Sequence, residues 1–110
     1  MSVSLKSQHP GKEIAPGVFR RIIHLNQIMA VEATFTYGPQ EKPDKPHVHP
    51  HEQLCYVAEG ELNLFIRDEK NYLKQGDMFS VESNVPHAIQ TLTSKVVLVD
   101  MFSPIRQDFL

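Results

Sequence analysis

Apolar and polar residues alternate along most of this chain, which is the pattern of β-strands that bury one face. The clearest run extends from Met29 to Tyr37, where every second residue is apolar or aromatic. Similar runs cover Val18–His24, Glu61–Arg67 and Lys95–Phe102. In no segment do the apolar residues recur with the period of a helix. About eight short strands separated by turn residues predict an all-β domain, either a small sandwich or a barrel.

Turn signals divide these strands. The loop GPQEKPDKP precedes a histidine-rich stretch, and Gly60 marks a tight turn after it. A polar turn is predicted at residues 68–71, between the strand that ends at Arg67 and a short strand over residues 72–75. A chain of 110 residues is long enough for one domain, so we expect a single domain over residues 1–110. Residues 1–16 are predicted to form an N-terminal arm or an edge strand.

Composition excludes several classes of function. The formal net charge is −2 and the basic residues are scattered, so no nucleic-acid partner is expected. No apolar run reaches the ~20 residues of a membrane span, and the first residues lack the apolar core of a secretory signal. We therefore expect a cytoplasmic protein that does not contact membranes. Cys55 is the only cysteine, and it is predicted to be a small buried apolar residue.

The histidine-rich stretch is KPHVHPHEQLCYVAEG, residues 45–60. If it is a strand, His47, His49 and Gln53 project from the same face, because side chains alternate along a strand. Pro50 can bend the chain before His51. The position of His51 is therefore left open between a metal ligand, a group that supports a ligand, and a residue at the pocket mouth.

His87 is the candidate for a further ligand. It follows the turn SNVP and begins a predicted strand, far enough along the chain for an antiparallel strand to return beside the first. Imidazole binds several first-row metals. The residues predict one divalent transition metal ion, with nickel, zinc, manganese and iron all open. A structural role for these histidines, without a metal, is the alternative.

The second informative stretch is VVLVDMFSPIRQDFL at the C-terminus. Asp100 and Phe102 share a strand face with apolar residues, which is an expensive position for a carboxylate. Buried carboxylates of this kind are typical of catalytic acids and bases. Arg106 could pair with Asp100 or could bind a substrate carboxylate. An Asp100–Arg106 ion pair that only fastens the tail is the structural alternative.

The chain resembles the cupin family in two motifs. The first motif consists of His47-Val48-His49, Gln53 and Gly60, and the second consists of Gly76-Asp77 and Pro86-His87. The resemblance implies the cupin double-stranded β-helix, a small jelly-roll barrel. It also implies that the metal ligands are His47, His49, Gln53 and His87. Many oxygen-activating cupins have Glu where this chain has Gln53, and a neutral amide favours Lewis-acid chemistry over dioxygenation.

Within the cupins, the segments HVHPHEQLCYVAEGEL, SNVPH and DMFSPIRQDFL resemble the pectin-degradation cupins of the KdgF family. That resemblance extends from Gly17 onward and implies that Asp100, Phe102 and Arg106 line the pocket beside the metal. It implies an enzyme that converts 4,5-unsaturated monouronates from pectin or alginate to linear 5-keto sugars. A cupin dioxygenase and a non-catalytic sugar- or anion-binding cupin are the alternatives. The expected partners are a sugar-acid substrate and a second copy of the chain.

Overall fold

The computed structural model describes residues 2–110 and contains nine strands and one short 3-10 helix over this range. The elements are β1 Lys12–Ala15, β2 Val18–His24, β3 Met29–Phe35, β4 Glu52–Glu59, β5 Glu61–Ile66, β6 Glu69–Lys74, β7 Met78–Val81, β8 His87–Thr91, β9 Val96–Ser103 and the 3-10 helix Gln107–Phe109. The predicted all-β class is confirmed. No helix within residues 2–110 has the length and hydropathy to cross a membrane.

The strands form two antiparallel sheets. Six strands pair in the order β1-β2-β3-β9-β4-β7, and three pair in the order β6-β5-β8. Their inner faces enclose a core built from Cys55 and Val57 of β4, Leu62 of β5, and Val96 and Leu98 of β9. Burial of this apolar surface between two sheets is the main stabilising contribution to such a barrel.

A second apolar cluster lies nearer the C-terminal tail. Met29, Val31 and Phe102 are buried together, and Ile22 and Phe109 pack against them. Phe109 belongs to the 3-10 helix, so the last residues of the chain close this end of the barrel. The tail is therefore part of the wall that surrounds the inner face of β9.

The register of β9 decides which side chains meet inside the barrel. Asp100 lies opposite Val31 on β3 and opposite Cys55 on β4. Phe102 lies opposite Gln53 on β4. Because side chains of directly opposed residues project from the same face, this register brings Gln53 and Asp100 together as diagonal neighbours.

Two predicted elements differ from the structure. The histidines do not lie on a continuous strand with residues 52–60, because β4 begins only at Glu52 and His47 makes a single isolated bridge to His87. Pro50 cannot donate to a sheet ladder, and its carbonyl accepts a hydrogen bond from Ser83 Oγ at 2.6 Å instead. His47 and His49 thus reach the site from an extended loop.

The second difference concerns the hairpin between β5 and β6. The predicted turn at residues 68–71 is wrong, because β6 already begins at Glu69 and the tight turn falls at Arg67 and Asp68. Arg67 adopts the positive φ of 54° that this turn requires. Most of β6 is exposed, so its polar residues reflect contact with solvent rather than a break in the strand.

Candidate metal centre and active site

Three imidazole rings converge inside the barrel. Nitrogen atoms of His47, His49 and His87 all lie within 4.8 Å of one another. The ring centroids of His47 and His87 are 4.2 Å apart, and those of His49 and His87 are 4.8 Å apart. His49 and His87 are each only 4% exposed, whereas His47 is open to solvent on one side.

Backbone hydrogen bonds hold two of these residues side by side. The N–H of His47 donates to the carbonyl of His87 at 2.9 Å, and the N–H of His87 donates back to the carbonyl of His47 at 3.1 Å. This reciprocal pair is the closely spaced unit of an antiparallel ladder. It fastens the loop that carries His47 to the first residue of β8.

The side-chain hydrogen bonds of the buried histidines fix their tautomers. Nδ1 of His87 donates to the carbonyl of Val85 at 2.9 Å, and Nδ1 of His49 donates to the carbonyl of His51 at 3.0 Å. A carbonyl oxygen only accepts, so in each neutral ring Nε2 carries the lone pair. Nε2 of His87 is buried and has no hydrogen-bond partner among the described residues.

Gln53 places an oxygen atom beside the three imidazole rings. Its Oε1 lies 3.0 Å from Nε2 of His49, while its Nε2 donates to Oδ1 of Asp100 at 2.9 Å. With His49 in the tautomer described above, two lone pairs face each other with no proton between them. A cation satisfies both lone pairs and the buried Nε2 of His87, so these residues fit a divalent metal with three nitrogen ligands and one oxygen ligand.

The surroundings of His47 and His87 favour the neutral form of both rings. Burial, followed by the neighbouring His87 and His49, lowers the pKa of His47 to about 4. Burial also lowers the pKa of His87, although its hydrogen bond to Val85 acts in the opposite direction. Neutral imidazole is the form that binds metal ions. His47 and His87 therefore have the protonation state of metal ligands at neutral pH.

Asp100 lies beside this cluster with an unusual environment for a carboxylate. Burial raises its pKa, while hydrogen bonds from Cys55 and Gln53 and the charge of Arg106 partly offset that rise. Cys55 is 1% exposed, as the sequence predicted, and burial and the neighbouring Asp100 raise the pKa of its thiol. The thiol thus stays protonated and acts as a hydrogen-bond donor to Asp100.

Of the two roles left open for Arg106, the ion pair with Asp100 does not form. The guanidinium of Arg106 forms an ion pair with Asp108 at 2.8 Å rather than with Asp100. The two residues are only two positions apart, so the pair forms within the tail itself. The Cζ atom of Arg106 also lies 4.1 Å from the ring centroid of Phe109 and 5.2 Å from that of Phe102. Arg106 thereby packs on the two aromatic rings at the end of the barrel.

A cavity of about 210 Å³ connects these groups. Its wall includes the sequence-predicted residues His47, Gln53, His87, Asp100, Phe102 and Arg106. His49 is not part of this wall, but its ring packs edge-to-face against that of Phe102, with ring centroids 5.6 Å apart. The ring of His51 is 5.6 Å from that of His49 and lies outside the group of three converging imidazoles. The backbone carbonyl of His51 accepts the hydrogen bond that orients His49.

Sequence reasoning missed three features of this cavity. Arg20 on β2 and Phe109 in the tail both line it, and Cys55 contacts Asp100. A signal for Arg20 was present, because Arg20 shares a strand face with Val18 and Ile22 just as Asp100 shares one with Leu98. Phe109 lies beyond the last strand, where no periodicity predicts the direction of a side chain.

Comparison with known proteins agrees with this architecture. The family model described as "Cupin domain" matches residues 33–102. The pectin degradation protein KdgF of Dickeya dadantii is 36% identical over 107 residues, which cover 96% of each chain. The 3-hydroxyanthranilate 3,4-dioxygenase of Xenopus laevis is 31% identical over 88 residues, but the matched region spans only 30% of that enzyme.

Solved structures give the same result. The structure of KdgF from Halomonas sp. superposes with a TM-score of 0.90 at 31% identity and covers 100% of this chain and 99% of that one. An RmlC-like cupin from Shewanella frigidimarina superposes with a TM-score of 0.87 at 32% identity and covers 97% and 94% of the two chains. Both similarities extend over the entire barrel, including the strands that form the cavity.

Proposed function

Since this chain belongs to the cupin family, and within it resembles KdgF over nearly its whole length, we propose that it is a metal-dependent isomerase of 4,5-unsaturated monouronates. It converts the cyclic sugar acids released from pectin or alginate into linear 5-keto-4-deoxyuronates. The observation that carries this proposal is the position of Gln53, which faces the histidine cluster through Oε1 and donates a hydrogen bond to the buried carboxylate of Asp100 through Nε2.

The metal would be held by Nε2 of His49 and His87, by an imidazole nitrogen of His47 and by Oε1 of Gln53. Nickel, zinc, manganese and iron all accept this donor set. When bound, such a cation supplies Lewis-acid stabilisation of negative charge on a substrate oxygen. The neutral amide of Gln53 leaves more positive charge on the cation than a glutamate would, which suits this role.

The reaction requires two proton movements and no oxidant. The substrate is a cyclic hemiacetal with a double bond between C4 and C5 and a carboxylate on C5. The C1 hydroxyl loses its proton as the bond between C1 and the ring oxygen breaks, which leaves an aldehyde at C1 and an enolate at C5. Protonation of C4 then gives the 5-keto product. Substrate and product are therefore isomers.

Asp100 carries the proton in this scheme. Its raised pKa, caused mainly by burial, lets the carboxyl group hold a proton closer to neutral pH than an exposed aspartate could. The hydrogen bond from Gln53 occupies Oδ1. The carboxyl group also lines the cavity, where it can take the proton from the C1 hydroxyl or deliver one to C4.

Arg106 and Phe102 position the substrate. Arg106 lines the cavity and presents a guanidinium that attracts the carboxylate on C5. Phe102 is 3% exposed and covers His49 on the inner face. It packs against the sugar and keeps water from the enolate.

The experiment that tests this function follows the ultraviolet absorbance of unsaturated galacturonate with purified protein. We expect loss of absorbance, a linear 5-keto product by NMR, no oxygen consumption, and loss of turnover after treatment with a chelator. Undiminished absorbance in the presence of each candidate metal would contradict the proposal. Tight binding of the sugar without its conversion would instead indicate a binding protein.

A dioxygenase is the second candidate function, because the Xenopus 3-hydroxyanthranilate 3,4-dioxygenase matches 76% of this chain. Oxygen uptake with 3-hydroxyanthranilate distinguishes the two enzymes. Gln53 disfavours the dioxygenase, since a neutral ligand stabilises oxidised iron less well than a carboxylate does.

The expected homodimer and cytoplasmic location stay predictions. A candidate dimer surface is the outer face of β4, β7 and β9, where Leu54, Tyr56 and Met78 are 57%, 41% and 74% exposed. Tyr56 lies opposite Met78 in the β4–β7 pairing, so these side chains form a continuous apolar patch. Sedimentation of the wild type and of Met78→Glu tests the prediction.

A further inference from the structure

Arg20 is a positively charged residue on the inner face of the barrel. It lies opposite Ala33 in the β2–β3 pairing, and Ala33 is 8% exposed. Its neighbour two residues along β2, Ile22, packs against the buried cluster that contains Phe102. Arg20 therefore projects into the cavity whose wall also contains His87 and Asp100.

The guanidinium groups of Arg20 and Arg106 stack on one aromatic ring. Cζ of Arg20 lies 3.7 Å from the centroid of Phe109, and Cζ of Arg106 lies 4.1 Å from it. Stacking restrains the plane of a guanidinium while its N–H groups stay free to donate at the edge. Phe109 thus holds two planar donors at the same end of the cavity.

The two arginines differ in their charge partners. Arg106 donates to both carboxylate oxygens of Asp108, at 2.8 and 3.3 Å, so its charge is largely compensated. Arg20 has no carboxylate oxygen within 4.0 Å among the described residues. Burial and the neighbouring Arg106 lower the pKa of Arg20, and the more distant charges of Asp108 and Asp100 offset this only in part.

We propose that Arg20 binds the carboxylate of the uronate and thereby selects acidic sugars over neutral ones. Arg20 and Arg106 both face the carboxylate: Arg106 is fixed by its ion pair with Asp108, and Arg20 has no ion-pair partner among the described residues. A planar guanidinium can donate two parallel hydrogen bonds to a carboxylate. This inference rests on the proposed function, because it identifies the group that recognises the substrate of that site.

The test compares Arg20→Gln and Arg20→Lys with Lys12→Gln. Lys12 is exposed and lies opposite Arg20 in the β1–β2 pairing, so its replacement removes the same charge from the neighbouring strand. KM and kcat are measured on unsaturated galacturonate. Binding of saturated galacturonate and of its neutral methyl ester is measured by calorimetry, which needs no turnover.

Arg20→Gln is expected to raise KM and the Kd of galacturonate by about tenfold or more, with kcat within about threefold of wild type and methyl-ester binding unchanged. Arg20→Lys keeps the charge without the planar donor, so an intermediate rise is expected. Lys12→Gln should leave all four values unchanged. Thermal melting verifies that each variant folds. If Arg20→Gln does not fold, Arg20→Lys alone tests whether Arg20 binds the carboxylate.

An unchanged preference for galacturonate over its methyl ester in a folded Arg20 variant would overturn the inference. So would a loss of kcat at constant KM. These outcomes are distinct from failure of the proposed function, in which the wild type itself does not convert the unsaturated sugar. In that event the calorimetric comparison still decides whether Arg20 recognises the carboxylate.

Discussion

Nε2 of Gln53 donates a hydrogen bond to Oδ1 of Asp100 across the β4–β9 pairing, at a distance of 2.9 Å. The other end of the same amide faces Nε2 of His49 at 3.0 Å. One side chain therefore joins the candidate metal centre to the carboxyl group that we assign as the acid and base. Because an amide can donate and accept at once, it can hold both groups without adding charge between them.

Replacement of Asp100 by Asn tests its assigned role in proton transfer. Asn has the same shape but cannot carry a proton in this way, so kcat should fall by about 100- to 10,000-fold. The metal content, measured by elemental analysis, should not change. Asp68→Asn is the matched control, because Asp68 is exposed in the turn between β5 and β6. Wild-type turnover by Asp100→Asn would remove Asp100 from the mechanism.

Replacement of Gln53 by Glu separates metal binding from the contact with Asp100. A carboxylate can still bind the metal, but it cannot donate the hydrogen bond that Oδ1 of Asp100 accepts in the native protein. We expect full metal content with kcat reduced by at least about tenfold, since a charge-assisted hydrogen bond is worth about 1.5–3 kcal/mol. The control is Gln75→Glu at an exposed position. Normal turnover by Gln53→Glu would show that the donor is dispensable.

The ligand assignment predicts opposite results for replacement of His87 and of His51. His87→Ala removes a buried Nε2 that has no other partner and should abolish stoichiometric metal binding. His51→Ala should retain the metal, because His51 orients His49 through its backbone carbonyl, which alanine also has.

Melting curves give an independent measure of this difference. Metal at 100 times its Kd stabilises a folded protein by about 2.7 kcal/mol. That corresponds to a rise in Tm of about 10 °C or more for a domain of this size. The wild type and His51→Ala should show this rise on addition of metal, and His87→Ala should not. Loss of the metal-induced shift in His51→Ala alone would reverse the assignment.

The sequence predicted which residues face the cavity better than it predicted the contacts between them. Alternation placed Asp100 and Phe102 on one inner face, which the structure bears out. The pairing of Cys55 with Asp100 depends on the register between β4 and β9, which are separated by many residues, and no local pattern encodes it. The ion pair between Arg106 and Asp108 depends on the path of the tail after Ser103, where strand periodicity has ended.

The turn at Gly60 gives a prediction about folding stability. Gly60 has a φ of +87°, and a Cβ atom there would lie 2.3 Å from the backbone oxygen of Lys95. Gly76 has a similar φ of +95° but open space around it. A positive φ destabilises both alanine variants by about 1–2 kcal/mol. Only Gly60→Ala adds a clash with the backbone. Urea denaturation should therefore show a larger loss of stability for Gly60→Ala, and equal losses would contradict the close approach.

The histidine cluster should make the metal-free protein sensitive to mild acid. The pKa of His47 is lowered from 6.5 to about 4, and that of His87 is lowered as well, so between these pH values the unfolded chain binds more protons than the folded one. A depressed pKa of this kind contributes stability that is fully present above pH 6.5 and is lost as the pH falls towards 4.

We expect the Tm of chelator-treated protein to decrease across this pH range and to decrease less steeply in His47→Asn. His24→Asn is the control, since His24 is exposed at the end of β2 and lies outside the cluster. Bound metal should protect the protein until protons compete for the imidazoles, because each ligand must be neutral to bind. An equal decrease of Tm with pH in the wild type and in His47→Asn would contradict this prediction. It would mean that solvent reaches the ring of His47 and stabilises its charged form.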